Sequence, residues 1–93
     1  MAIRSMSCTV RIPSPLRSYT AGAAEVTVEG GTLSEVLASL EQRFQGIRFR
    51  MVDEQDRIRP HIRLYINSRE TKALSERVGA ADTVHVICAL SGD

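Results

Sequence analysis

The chain has no long apolar run and almost no net charge, and each absence argues against a class of function. Among its 93 residues, no stretch approaches the ~18 apolar residues of a membrane span. Residues 1–6 also lack the long apolar region of a signal peptide, so we expect a cytoplasmic protein that does not engage a membrane. The 12 basic and 11 acidic side chains nearly cancel, which argues against a broad nucleic-acid interface.

Side chains that commonly perform catalysis or bind metals are few and scattered. Cys8 and Cys88 are too far apart in sequence for a disulfide framework or a metal-site pattern. Both have the inward parity of neighbouring valines, which favours buried thiols, although Cys88 stays open as a reactive nucleophile near the C-terminus. His61 and His85 fall on outward strand positions without clustered partners, and Gly30-Gly31 lacks the lysine of a P-loop. We expect no catalytic residue, no metal site and no bound cofactor.

Alternating apolar residues predict a sheet. Apolar side chains recur at every second position in several segments, which is the pattern of a strand with one buried face. Residues 70–72 fit a short edge strand and residues 74–78 a brief helical turn. The long predicted strands cover residues 6–12, 25–29, 62–66 and 84–88.

The pattern changes to a helical period after Gly31. Thr32 is a suitable N-cap, and Glu35 three residues later completes a capping box. Apolar residues then recur at helical spacing, and Gly46 provides a left-handed stop, so we predict a helix over residues 33–44. The apolar stripe of this helix is expected to be core: Leu33, Val36, Leu37, Leu40 and Phe44.

Residues 47–56 fit either an irregular or a one-turn helical segment, anchored by Phe49, Met51 and Val52, followed by an exposed acidic turn. The economical arrangement of all these elements is α+β: a mixed sheet of four to five strands with one main helix packed on one face. The length allows a single domain over residues 1–93.

The last strand runs almost to the end of the chain, which leaves a short tail over residues 90–93. We expect this tail to be flexible and narrow, because Ser91 and Gly92 are small enough for a tight partner site. Ile87 has outward parity, and with Leu90 it marks a candidate docking surface on the helix-free face. An isolated exposed apolar residue is the ordinary alternative for Ile87.

Six arginines lie within a short part of the chain and allow two interpretations. A solvated face is the simpler one; a patch that steers an acidic protein partner is the sharper one. The cluster consists of Arg43, Arg48, Arg50, Arg57, Arg59 and Arg63.

Several segments together have the order and spacing of a known family. They are Gly30-Gly31-Thr32-Leu33-Ser34-Glu35-Val36-Leu37, Phe44-Gln45-Gly46-Ile47, Ile62-Arg63-Leu64-Tyr65-Ile66-Asn67 and Ala81-Asp82-Thr83-Val84-His85-Val86. Through them the chain resembles the MoaD/ThiS ubiquitin-like sulfur carriers over nearly its whole length. Ile12-Pro13-Ser14-Pro15-Leu16-Arg17 and the insertion before His61 look most like the subgroup that delivers sulfur for cysteine biosynthesis.

The resemblance implies a β-grasp fold and a carrier function rather than an enzyme. In this family an ATP-dependent activating enzyme adenylates the terminal carboxylate, and sulfur then replaces the nucleotide to give a thiocarboxylate. The sulfur is donated within an acceptor such as a cysteine synthase, a molybdopterin synthase large subunit or a thiazole synthase. The sulfur-carrying tail here would be Ser91, Gly92 and Asp93.

Asp93 departs from the family pattern, whose members end in Gly-Gly. Its side chain adds bulk and a second negative charge beside the carboxylate that ATP must reach. Three accounts stay open: a peptidase removes Asp93, the natural chain differs or continues at this position, or the protein is a β-grasp interaction module that carries no sulfur.

Overall fold

The computed structural model describes residues 7–89, which form one mixed five-stranded sheet with helices on one face. The strand order is β2-β1-β5-β3-β4, with β1 and β5 parallel and the other neighbours antiparallel. This is the expected β-grasp arrangement. The strands are β1 (Ser7–Arg11), β2 (Glu25–Glu29), β3 (Ile62–Ile66), β4 (Arg69–Thr71) and β5 (Thr83–Cys88).

The alternating strand pattern is confirmed as an inside–outside pattern. On β1, Cys8 and Val10 are buried, and on β5 Val84 and Val86 are buried, whereas the intervening residues are not. Residue 6, where the first predicted strand begins, lies outside the described residues. β4 is displaced by one residue from its predicted position because the turn at Asn67 pairs Ile66 directly with Arg69.

The main helix, α1 (Leu33–Arg43), begins at the predicted capping box and is one residue shorter than predicted. The Thr32 hydroxyl accepts from the Glu35 amide at 3.2 Å, and the Glu35 carboxylate accepts from the Thr32 amide at 3.2 Å. The backbone of Phe44 is no longer helical. Gly46 follows with a φ of 95°, a left-handed conformation that favours glycine. Leu33, Val36, Leu37 and Leu40 are fully buried against the sheet.

A second short helix, α2 (Ile47–Met51), resolves the ambiguous segment and corrects one predicted anchor. Ile47, Met51 and Val52 are completely buried, but Phe49 is 54% exposed. Ile47 and Met51 are four residues apart and share one helix face, so Phe49 between them must point away from it. The acidic turn at residues 53–56 is confirmed.

The predicted helical turn at residues 74–78 is wrong. Only a turn at residues 74–75 forms, and Arg77 makes an isolated bridge with Thr32. The Leu33 amide donates to the Glu76 carbonyl at 2.9 Å, and the Ser34 amide donates to the Leu74 carbonyl at 2.8 Å. The segment therefore stays non-helical, and its carbonyls accept hydrogen bonds from amides at the start of α1 that have no partner within the helix.

The remaining loop between β1 and β2 forms a 3₁₀ helix at Ser14–Thr20. Leu16 is buried and Tyr19 packs against the core, which ties this loop to the sheet. Within residues 7–89, no helix is long and apolar enough to cross a membrane.

Candidate carrier terminus and docking face

β5 delivers the chain to the candidate tail from the centre of the sheet. It lies between β1 and β3, and the Ala89 amide still donates to the His61 carbonyl at 2.7 Å. The chain is thus fixed by the sheet up to the last described residue. Leu90, Ser91, Gly92 and Asp93, the predicted tail and half of the predicted docking pair, lie outside the described residues.

The start of β5 is also fixed, by a small polar clamp. The Asp82 carboxylate accepts from the Gly79 amide at 2.8 Å and from the Asn67 side-chain amide at 2.9 Å. The Asn67 side-chain oxygen in turn accepts from the Thr83 amide at 3.0 Å. The Gly79 hydrogen bond first, and then that of Asn67, hold the pKa of Asp82 below its usual value because both stabilise the ionised carboxylate.

Ile87 occupies the predicted outward position. Its side chain is 44% exposed, and it pairs with Arg63 of β3 on the face that carries no helix. The neighbouring Tyr65 and His85 form another cross-strand pair on the same face. Arg63 is held by an ion pair of 3.3 Å to Glu70. Ile87 is thus an exposed apolar side chain with polar cross-strand neighbours, and it lies on β5, the strand that leads to the tail.

A groove of about 410 Å³ lies along the end of β5, on the side of the strand that faces β1 and the loop after it. The end of β5, including Ile87, forms one wall, and residues 11–15 with Arg17 form the other. Arg11, Arg17 and His85 contribute to its lining, and among the described residues no carboxylate does. Arg11 nevertheless has an acidic partner outside the groove, Glu25, which limits its contribution to the local positive charge.

The cysteines do not resemble reactive thiols. Both are free; burial raises the pKa of Cys88, and burial followed by the nearby charge of Asp82 raises the pKa of Cys8. A raised thiol pKa lowers the thiolate fraction at neutral pH, which argues against the Cys88 nucleophile. Because Thr9 pairs with Thr83, Cys8 aligns with Asp82, so Cys88 lies farther along β5 by roughly 20 Å, well beyond disulfide reach.

The histidines also stay apart from any metal-binding arrangement. His61 is exposed and His85 is half-buried, on the outward positions predicted for them. Within residues 7–89, no three His, Cys, Asp or Glu side chains converge as a metal site would require.

The arginine cluster does not act as one uniform patch. Arg48 pairs with Asp56 at 2.7 Å and Arg57 with Asp53 at 3.3 Å. With Arg63 bound to Glu70, half of the cluster has a nearby carboxylate. The other members contact neutral groups instead: Arg43 the Thr27 carbonyl, Arg50 the Tyr19 hydroxyl and Arg59 the Phe49 carbonyl. This pairing favours the solvated-face interpretation.

Sequence reasoning missed the groove beside β5. The available signal was Pro13, directly after the predicted strand at residues 6–12, because proline has no N–H to donate to a neighbouring strand. Its effect on the neighbouring strand becomes visible only when β1 and β5 are known to be parallel neighbours in this register.

Comparison with known proteins agrees with the geometry. A protein-family model described as the ThiS family matches residues 10–92, so the match extends through Gly92 and stops before Asp93. The sulfur carrier protein CysO of Mycobacterium tuberculosis, and that of Mycobacterium bovis, are 30% identical to this chain over 92 residues. The alignment covers 94% of this chain and 99% of each relative.

Solved structures give the same result. The crystal structure of the Amycolatopsis orientalis BexX/CysO complex contains a chain that superposes with a TM-score of 0.86 at 31% identity, covering 92% of this chain and 99% of that one. Mycobacterium tuberculosis CysO superposes with a TM-score of 0.84 at 28% identity, covering 89% and 99%. The small archaeal modifier protein SAMP1 of Haloferax volcanii shares the fold, with a TM-score of 0.79 at 22% identity, covering 94% and 99%.

Proposed function

Because this chain belongs to the ThiS family and is a sulfur carrier protein, we propose that Gly92 bears the transferable sulfur as a terminal thiocarboxylate. The family match that runs through Gly92 carries this proposal. The structure supports it, since the sheet holds the chain up to Ala89, directly before the tail that the sequence predicts over residues 90–93. The chain would act as a protein substrate, and the chemistry would be performed by enzymes that hold its tail.

The proposed chemistry takes place in two steps. The Gly92 carboxylate attacks the α-phosphorus of ATP, pyrophosphate leaves, and an acyl-adenylate forms on a separate activating enzyme. A sulfide-level nucleophile, hydrosulfide, then attacks the activated carbonyl carbon, AMP leaves with the C–O bonding electrons, and loss of the S–H proton yields the thiocarboxylate. Activation is required because an ionised carboxylate is a poor electrophile. ATP is therefore a substrate of the partner and not a cofactor of this chain.

Asp93 bears on the first step. Any residue beyond Gly92, Asp93 included, has to be removed before the Gly92 carboxylate is free to react. We therefore include a C-terminal peptidase among the proposed partners. Asp93→Gly is an alternative form that needs no removal, because its reacting carboxylate would be that of residue 93, at the position of the family's last glycine.

The proposed acceptor is an enzyme of cysteine biosynthesis. The relatives at 30% identity are CysO proteins, and one CysO chain has been crystallised with BexX, which supports binding of this chain to a separate enzyme. A molybdopterin synthase large subunit is the second candidate acceptor. Ile87 and Leu90 would contact these enzymes, because Ile87 is exposed on the helix-free face of β5, the strand that leads into the tail.

The test compares three purified chains: one that ends at Gly92, one that ends at Asp93, and Asp93→Gly. Each is incubated with the adenylating enzyme encoded in the same genome, and ATP–pyrophosphate exchange is measured. We expect exchange with the Gly92 and Asp93→Gly forms, and much less with the Asp93 form unless a peptidase is added. Absence of exchange with every form would contradict the carrier mechanism and favour an interaction module without covalent chemistry.

A further inference from the structure

β5 extends beyond its parallel neighbour. β1 pairs with β5 only from Thr9↔Thr83 to Arg11↔His85, whereas β3 pairs with β5 as far as Cys88. The last part of β5 therefore has a strand on one side only. The groove of about 410 Å³ lies along its other side.

The register shows which backbone groups face that groove. The Asn67 amide donates to the Thr83 carbonyl at 2.7 Å, and the Ala89 amide donates to the His61 carbonyl at 2.7 Å. Residues at alternate positions of an antiparallel strand direct both backbone groups to the same partner. Residues 83, 85, 87 and 89 therefore face β3, and Val86 and Cys88 face the β1 side.

Pro13 leaves these groups without a partner from β1. The Thr9 amide donates to the Asp82 carbonyl at 3.3 Å, and this parallel pattern would bring residue 13 opposite the Val86 carbonyl. Proline has no N–H to donate. The Pro13 carbonyl, which would accept from the Cys88 amide, accepts from Leu16 at 2.9 Å instead. Within residues 7–89, the ladder thus offers no partner to the Val86 carbonyl or the Cys88 amide.

The groove also has a preferred charge. Arg17 contributes a guanidinium, and Arg11 and His85 also line the groove, although Arg11 is ion-paired with Glu25 outside it; within residues 7–89 no acidic side chain lines the groove. Arg17 uses its Nε to donate to the Ile12 carbonyl at 2.9 Å, which fixes the guanidinium without neutralising it. An incoming segment with Asp or Glu would meet complementary charge.

We propose that this open edge of β5 receives an extended, acidic segment of the activating enzyme, which pairs with Val86 and Cys88 as an added strand. The inference rests on the proposed function, because it is the enzyme holding the tail that reaches this edge. Gly92 follows Cys88 by four residues, so a site that encloses the Gly92 carboxylate lies within about 14 Å of the Cys88 backbone. Pairing here would also set the direction in which the tail leaves the sheet.

Amide hydrogen exchange tests the edge directly. In the free protein, we expect the Cys88 amide to exchange at least about tenfold faster than the Ile87 amide, which faces β3, since exchange follows local opening of the hydrogen bond. In the complex with the activating enzyme and ATP, the Cys88 amide becomes protected. Equal protection of Cys88 and Ile87 in the free protein would overturn the proposal, as would an unchanged Cys88 amide in a complex that forms.

A pair of matched substitutions tests the groove. Ser14 lines it and Ser18 does not, although both are exposed in the same 3₁₀ helix. We expect Ser14→Trp to lower kcat/KM for adenylation of the Gly92 form by roughly tenfold or more, since each lost backbone hydrogen bond is worth about a factor of five. Ser18→Trp should leave it unchanged, and matched thermal unfolding of both variants checks their fold.

The outcomes separate the two claims. If adenylation proceeds and Ser14→Trp behaves like Ser18→Trp, the added strand is contradicted while the carrier function stands. If no form of the chain is adenylated, the carrier mechanism fails and this inference fails with it.

Discussion

At the residue scale, single polar groups fix the strand that carries the tail. Asp82 joins the turn before β5 to Asn67, and Asn67 in turn holds the Thr83 amide. Pro13, by contrast, has no N–H, so the segment after β1 cannot donate a hydrogen bond to the Val86 carbonyl of β5. The position of β5 thus depends on residues that belong to other parts of the fold.

The Asp82 clamp predicts a pH dependence of stability. Its pKa is lowered in the folded state, so its stabilisation is present above the ordinary aspartate pKa near 3.8 and is lost as pH falls through the lower folded value. Asp82→Asn should therefore unfold at lower denaturant concentration than the native chain at pH 7. The difference between the two midpoints should shrink below about pH 4. A difference that stays constant down to pH 2 would contradict this role.

At the element scale, the local pattern predicted those parts of the fold that depend on local chemistry. Strand alternation and the capping box gave β1, β2, β3, β5 and α1. The local pattern failed where long-range contacts determine the structure. At residues 74–78, the carbonyls of Leu74 and Glu76 accept hydrogen bonds from the first amides of α1. Phe49 was misplaced because an apolar residue alone does not show which side of a short helix is buried. The open edge of β5 required the strand register, which no local pattern contains.

The capping box gives a stability prediction. Thr32→Ala removes the hydroxyl that accepts from the Glu35 amide, and we expect a loss of about 1 kcal/mol in the free energy of unfolding. Thr32→Ser keeps the acceptor and should stay close to the native value. Chemical denaturation of the three proteins provides the measurement, and equal destabilisation by both substitutions would contradict a role for the hydrogen bond.

At the scale of the whole molecule, the sheet has two different faces. The helices cover one, and the other is open to partners beside the strand that leads to the tail. Among the described residues, the exposed large apolar side chains are Ile87 on the open face and Phe49 on α2. They form a natural pair for testing which side of the molecule meets the enzymes.

We expect Ile87→Asp to weaken binding of the activating enzyme by tenfold or more, because it places a charge in the apolar contact. A tenfold increase in Kd corresponds to a loss of about 1.4 kcal/mol in binding free energy. Phe49→Asp should leave that affinity unchanged. Titration calorimetry with the folded variants measures both. Equal effects of the two substitutions would show that Ile87 does not mark the docking face.

The carrier mechanism is tested most directly by the intact mass of the protein isolated from its own cells, with fragmentation of its C-terminus. The account predicts a population that ends at Gly92 and carries the oxygen-to-sulfur mass gain on that residue, most abundant when cells are actively making the sulfur-containing product. A chain that keeps Asp93 and carries no sulfur under every growth condition would contradict it.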